Sequence, residues 1–296
     1  MARDTFGSGS NIGMPRSVEW PPCSNAWRPV ADLMSDWLAL REPADAAARS
    51  TEVTQAIVDA LPREGPVRAL DLATGTGANI RFLAPRLPGP QEWIAVDRDP
   101  VLLAHVHADV PADVTALRME LGSLGDPALS GLFAGRHLVT ASALLDLVSE
   151  SWIAALANRC REVGAVVLFA LNYDGRSACS PREPEDDFVL ELFNRHQKGN
   201  DKGFGTAAGP DADDCAARSF AAAGYRVRRA QSDWALAPES PGLQRALITG
   251  WAQAASEVAP DRVDLIGRWL ARRLAHVSAG RSSVRVGHHD LAAWLL

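Results

Sequence analysis

Cysteine is scarce. Cys23, Cys160, Cys179 and Cys215 lie far apart and no C-x-x-C pair occurs, which excludes a disulfide scaffold and a thiolate zinc site and leaves reduced thiols. No apolar run approaches the roughly 20 residues needed to span a bilayer. "HLVTASALLDLVS" is interrupted by Asp146, and "GAVVLFALNY" is short. Positive charge is not in excess either. With 30 Lys and Arg against 36 Asp and Glu the net charge is −6, so nucleic acid and anionic membranes are disfavoured as partners. The N-terminal stretch carries Gly, Ser, Pro and early charges where a signal peptide would need an apolar segment. Residues 1–30 are therefore expected to form a flexible tail, and the protein to be soluble and cytoplasmic. Internal repeats are absent. Tyrosine is rare, 2 against 9 tryptophans; for Trp37, Trp234, Trp251 and Trp269 core packing is the ordinary role, with contact to a cationic or flat ligand the alternative.

What is present is a chain of 296 residues, 47% hydrophobic, enough for one elaborated domain over residues 31–296. Residues 31–62 have an interrupted helical period broken at Pro43, which predicts two helices. Alternating segments follow. Strands are predicted at 67–73, 92–97, 114–121, 137–142 and 165–171, with helices between them, the second opened by Pro100. Such alternation implies crossover units and a mainly parallel sheet covered on both faces. Residues 172–210, rich in charge, Pro and Gly, predict a short helix between two long loops. A helix ending at Gly224, a strand "YRVRRAQ", a helical region within 238–280 and a last strand at 282–291 complete the chain.

The stretch "ALDLATGTGAN" (residues 69–79) ends an apolar strand with Asp71 and turns through glycines. No Lys follows, so it is not a Walker loop. As a dinucleotide fingerprint it is weak, because the third glycine would be Ile80, or in the frame Ala73-x-Gly75-x-x-Ala78 alanine would stand at the tight first turn. Asp71 is the more telling residue. A carboxylate there is costly unless it is paired or hydrogen-bonded, and it is expected to face a ligand carrying positive charge.

Asp71-Leu72-Ala73-Thr74-Gly75-Thr76-Gly77 resembles the first motif of the class I S-adenosylmethionine-dependent methyltransferases, acid-hydrophobic-Gly-x-Gly-x-Gly, with Ala73 in place of the first glycine. The resemblance implies a doubly wound, mostly parallel seven-stranded sheet of Rossmann-like type, α/β in class, whose final strand is antiparallel, with a helical cap from the N-terminus and from residues 172–210 and 238–280. It further implies S-adenosyl-L-methionine as cofactor, S-adenosyl-L-homocysteine as product, and a small-molecule acceptor. The loop with Asn79 is expected at the methionine end. Asp97, 22 residues after Gly75, can accept two hydrogen bonds from a ribose diol, with Arg98 beside it. That device serves NAD equally well. Glu120-Leu121 falls where the family contacts adenine, and Ser142 and Ala143 where its fourth strand lines the cofactor. Arg49 has two readings: an exposed pair with Asp45 at i, i+4, or a contact to the cofactor's carboxylate. No Asn-Pro-Pro-Tyr motif is present, which counts against nucleobase N-methylation.

Methyl transfer needs a base only when the acceptor starts protonated. His196, within "NRHQKGNDKGFG" beside Asp201, Lys202 and Phe204, is the candidate base, in a loop above the cofactor. Asp146 either caps the next helix or positions the acceptor. His288 and Asp290 share one side of the last strand, as an oriented pair or as plain strand-end polarity. Asn172 and Asp174 faintly resemble part of a catechol methyltransferase magnesium site, but the order departs, so no metal is expected. His105 and His107 point to different sides of a helix. Arg268, Arg272 and Arg273 read as a solvated basic face. The alternatives to a small-molecule methyltransferase are an RNA or protein methyltransferase, an NAD-dependent oxidoreductase, and a non-catalytic adenosyl-ligand binder.

Overall fold

The structure, a computed structural model, describes residues 30–199, 201 and 203–295; Cys23 and Lys202 lie outside them. Two helices, α1 (Val30–Ala48) and α2 (Thr51–Ala60), precede β1 (Val67–Leu72). Then come α3 (Ala78–Leu83), β2 (Gln91–Asp97), α4 (Pro100–His105), β3 (Val114–Leu121), β4 (Leu138–Ser142), α5 (Glu150–Val163) and β5 (Val166–Ser180). The second half holds α6 (Asp186–Gly199), α7 (Ala212–Ala222), β6 (Arg226–Gln231), β7 (Trp234–Leu236), α8 (Pro241–Val258), α9 (Val263–Ser278) and β8 (Ser283–Trp294).

The strands run in the order β3-β2-β1-β4-β5-β8-β6, with β7 paired to β8 off that path. The first five are mutually parallel, and β8 runs antiparallel to β5, β6 and β7. This is the expected doubly wound sheet, with β7 as an addition.

Strand alternation sorts the side chains into two buried layers. Leu70, Leu72, Val96, Val139 and Phe169 pack beneath α5 and α7. Ala69, Trp93, Ala95, Leu138 and Leu168 face α2, α3 and α4. A third apolar cluster joins α6, α8 and α9 to the far halves of β5 and β8 through Tyr173, Trp234, Trp251 and Trp269. Among the described residues no helix is long and apolar enough to cross a membrane.

Two local expectations are corrected. Pro43 lies inside α1 and does not break it. Proline in a helix interior costs about 3 kcal/mol, and one pair within the helix and a tertiary contact on each side of it oppose that cost, the Trp234 indole donating to Asp45 at 3.0 Å on the far side. Arg41 pairs with Asp45 across the proline at 2.8 Å, and Glu42 pairs with Arg81 at 2.7 Å. The second correction concerns residues 172–180. Instead of a loop they continue β5, held by a partner more than 100 residues away in β8, through Tyr173↔His288, Cys179↔Val284 and their neighbours. Close approach makes the pairing specific: a Cβ on Gly287 would stand 2.2 Å from Asp174 Oδ1.

Candidate functional site

The carboxyl ends of β1 and β4, and the point in β5 where its pairing with β4 ends, share a feature. Ala73 (φ 51°), Ala143 (φ 52°) and Leu171 (φ 56°) all occupy the left-handed region, though none is glycine. Left-handed backbone costs an L-residue about 1–2 kcal/mol, and such strain clusters at functional edges. The glycine loop continues the pattern with Gly75 at φ 56° and Gly77 at φ 83°. Its backbone is fastened to β2: the Thr74 N–H donates to the Val96 carbonyl at 2.9 Å, and the Gly75 N–H to Asp97 Oδ2 at 2.8 Å. Space at Gly75 is limited, since a Cβ there would meet Leu38 Cδ1 of α1 at 3.0 Å.

Asp71 is fully buried, and hydrogen bonds within the protein already satisfy its carboxylate. Its carboxylate accepts from Thr74 Oγ1 and Asn79 Nδ2, each at 2.6 Å. Burial pushes its pKa up to about 6, with those hydrogen bonds and Arg49 opposing. Asn79 also donates to Thr140 Oγ1 at 3.1 Å and accepts from Arg49 Nη1 at 2.9 Å. A buried polar chain thus runs from Asp71 to Arg49.

Arg49 is buried and stands over the Phe82 ring at 4.4 Å. Its Nε lies 3.6 Å from Asp290 Oδ2, and neither Nε nor Nη2 has a hydrogen-bond partner. Burial lowers its pKa, against the pull of Asp290. Both sequence readings of this region shift. Asp45 pairs with Arg41 and accepts from Trp234 Nε1 at 3.0 Å, so an exposed Asp45–Arg49 pair does not form. Asp290 serves Arg49 and the N–H groups of Ser50 and Leu171, both at 2.8 Å, and does not orient His288.

Asp97 closes the opposite side. Its two oxygens each hold a backbone N–H, of Gly75 and of Asp99 (3.0 Å), and each retains further acceptor capacity. Beside it Leu121 is 59% exposed at the end of β3, while Glu120 pairs along its strand with Arg118 at 2.5 Å. Arg98 is exposed next to the loop around Gly203. Below the ends of β1 and β2 opens a cavity of about 190 Å³ lined by Leu70, Leu72, Val96, Leu124, Trp152 and Leu156, among others. Sequence reasoning had not singled out Leu124 or Trp152. Ser142 ends β4 with Ala143, whose N–H is held by the Ala170 carbonyl at 2.9 Å.

The two catalytic candidates separate. His196 is not in a loop: it lies in the last turn of α6, and its Nε2 pairs with Glu257 of α8 at 2.9 Å, inside the cap. Asp201 instead organises its own turn, accepting from the N–H groups of Gly203, Phe204 and Gly205. Asp146 is buried after β4, near enough to Tyr173 to help raise its pKa. It does not cap α5, because Ser149 does so, accepting from the Trp152 N–H at 3.2 Å. Asn172 gives its amide to the Phe169 and His289 carbonyls, and Asp174 binds Arg176. On α9 Arg268 is exposed, as a solvated basic face requires, but the other two arginines are not part of one. Arg273 is fully buried, bound to Asp186 and to the Pro181 carbonyl, and Arg272 pairs with Glu183 at 2.6 Å.

No protein-family profile matches the sequence, and no curated protein does. Solved structures do. A mycolic acid cyclopropane synthase complexed with SAH and CTAB is 12% identical with a TM-score of 0.50, covering 89% of this chain and 95% of that one. A SAM-dependent methyltransferase from Geobacter sulfurreducens in complex with S-adenosyl-L-homocysteine is 15% identical, TM-score 0.45, over 91% and 99%. A cyclopropane synthase from Mycobacterium tuberculosis is 13% identical, TM-score 0.46, over 88% and 95%. Strand order and the likeness to the first of these show that the chain has the Rossmann-like fold of class I methyltransferases.

Proposed function

We propose that this protein is an S-adenosylmethionine-dependent methyltransferase acting on a small-molecule acceptor. The observation that carries the reading is Arg49, a buried cation behind a left-handed glycine loop whose Nη2 has no hydrogen-bond partner and whose Nε meets only Asp290, at 3.6 Å, beyond hydrogen-bond reach. Buried donors left without partners are costly, and a ligand carboxylate satisfies both in the fork geometry that guanidinium prefers. An amino-acid end to the ligand follows.

The rest of the edge fits the same ligand. Backbone of Ala73, Thr74, Gly75 and Gly77 gives close approach, Asp97 has capacity for a ribose diol, and the apolar cavity at the ends of β1 and β2 suits a flat base. Arg98, Leu121, Ser142 and Ala143 border this edge. Asn79 and Asp71 act behind it, holding Arg49 in place. Glu120 belongs on the adenine side only if its pair with Arg118 opens. The cofactor supplies a methyl group on a sulfonium. The chain's task is then to hold the acceptor in line and exclude water, with Asp146 beside Tyr173 as the carboxylate placed to orient it. His196, spent on Glu257 within the cap, serves the packing of α6 on α8 and not proton transfer.

Isothermal calorimetry with S-adenosylhomocysteine and with NAD tests the reading. Binding of the first and not the second supports it, and Asp97→Ala should then weaken binding about 100-fold through loss of two charge-assisted hydrogen bonds. Binding of NAD alone would replace methyl transfer with the oxidoreductase reading.

A further inference from the structure

Asp290 of β8 is fully buried, and three parts of the chain converge on it. Its Oδ1 receives the N–H of Leu171, the strained residue within β5, and its Oδ2 receives the N–H of Ser50, which caps α2, each at 2.8 Å. The third neighbour is Arg49, one residue before that cap, whose Nε stands 3.6 Å from the same Oδ2. A guanidinium and a carboxylate that are free to approach close to about 2.8 Å. These two are not free. Two backbone bonds to separate elements pin the carboxylate, while the Phe82 ring at 4.4 Å and the Asn79 oxygen on Nη1 at 2.9 Å pin the arginine.

That separation decides what Arg49 can do. A buried cation without a counter-charge is strongly destabilising, and Asp290 is the foremost charge holding the proton on Arg49 against burial, ahead of Asp45 and Asp71. It supplies this charge without occupying a donor, because Nε and Nη2 keep their hydrogens unbonded. Arg273 shows the other arrangement. There Asp186 takes Nε and Nη2 outright and the Pro181 carbonyl takes Nη1. A ligand carboxylate that reaches Arg49 therefore finds open donors, but it also meets a second negative charge already placed on the same cation. Like charges away from water repel with little screening.

We propose that Asp290 is a positioning residue acting through Arg49: it keeps the empty site folded by compensating the buried cation, and as a resident competitor for that cation it holds down affinity for a carboxylate-bearing ligand. This rests on the methyltransferase reading and goes beyond it, to how tightly the site retains the donor and, after transfer, a product that carries the same carboxylate. The adenosine end of the ligand lies outside the effect, since Asp97 serves it from the other side of the glycine loop.

The test is Asp290→Asn in the full chain, with calorimetry on S-adenosylhomocysteine and on 5′-methylthioadenosine, which has the adenosine and lacks the amino-acid end. Asparagine keeps the shape and removes the charge. S-adenosylhomocysteine should gain about tenfold in affinity relative to 5′-methylthioadenosine, compared with the same ratio in the wild type. Any loss of backbone bonding to Ser50 and Leu171 falls on both ligands alike, so the ratio reads the charge. The empty variant should also melt below the empty wild type, with saturating S-adenosylhomocysteine narrowing the gap. A ratio that stays constant or falls overturns the proposal, because a merely structural carboxylate would move both affinities together. If the single variant does not fold, the double variant Arg49→Met with Asp290→Asn, which removes both charges, should fold, and a double variant that fails as the single one does overturns the counter-charge role. A wild type that binds S-adenosylhomocysteine no better than 5′-methylthioadenosine defeats the reading of Arg49 itself and this proposal with it, a result distinct from a ratio that does not respond to Asp290→Asn.

Discussion

Two buried arginines hold two regions of this molecule, and they differ in what they lack. Arg273, in the cap, spends Nε and Nη2 on Asp186 and Nη1 on the Pro181 carbonyl, and Trp269 donates to the same carboxylate at 2.8 Å. Arg49, at the sheet edge, spends one nitrogen on Asn79 and leaves Nε and Nη2 without hydrogen bonds. Burial costs both alike. A guanidinium complete within the protein ties elements together, whereas Arg49, with Asp290 at 3.6 Å as its counter-charge, keeps hydrogen-bonding capacity that a ligand can use.

The comparison can be broken by substitution. Arg273→Met should cost about 3–5 kcal/mol of stability, because it strands Asp186 in the corner between β5 and α6, while leaving S-adenosylhomocysteine affinity intact in the folded fraction. Urea unfolding and calorimetry on the same sample read both quantities. Arg49→Met should show the reverse weighting, an affinity loss of about 100-fold, or ~2.7 kcal/mol, with a smaller stability change. If the two variants behaved alike, the distinction between complete and incomplete arginines would be wrong.

Acid titration sharpens a second contrast, between Asp71 at the donor edge and His288, buried beside Trp234 and Tyr173. Asp71 has its pKa raised by burial, to about 6 from 3.8. The folded state then binds more protons than the unfolded one in that window, so this group removes stability as pH rises from about 4 to 6, by roughly 3 kcal/mol. His288 is shifted the other way, to about 3 from 6.5. There the unfolded state binds more protons, and stability falls as pH drops from about 6.5 toward 3, by on the order of 5 kcal/mol. The two slopes oppose. Asp71→Asn should therefore make the protein more acid-sensitive than wild type between pH 4 and 6, and His288→Phe less so. Parallel pH profiles for the three proteins would contradict both assignments.

The smallest expected effect concerns Ala73. Glycine there relieves left-handed strain of about 1–2 kcal/mol but adds unfolded-state entropy worth roughly 0.5–1 kcal/mol. Ala73→Gly should raise the melting temperature by no more than about 4 °C, and a drop would show that the alanine methyl makes a packing contact outweighing the strain.

Much of the donor edge was legible along the chain. Asp71, Asp97 and the loop between them lie within a few tens of residues, and the alternation of apolar runs with helical segments announced the parallel sheet. The direction of Asp71 was not legible, since whether a buried carboxylate faces a ligand or a neighbour depends on Asn79 and Thr74, whose donors converge only after α3 packs on the sheet. Thr140, a polar residue inside the apolar run of β4, was a visible hint of that network.

The extension of β5 and the cap were hidden for a stronger reason. Residues 172–180 have a loop-like composition and become strand through pairing with residues 283–289. His196 looked available in a polar stretch, yet α8 brings Glu257 to it from 61 positions away. What the sequence by itself determined is the α/β layering, the glycine turn and the placement of Asp97 at a strand end, because short-range periodicity and backbone sterics govern them. Which arginine is complete and which histidine is spent were decided only by tertiary structure. A partner's identity depends on chain segments meeting across the whole fold, and no local pattern carries that information.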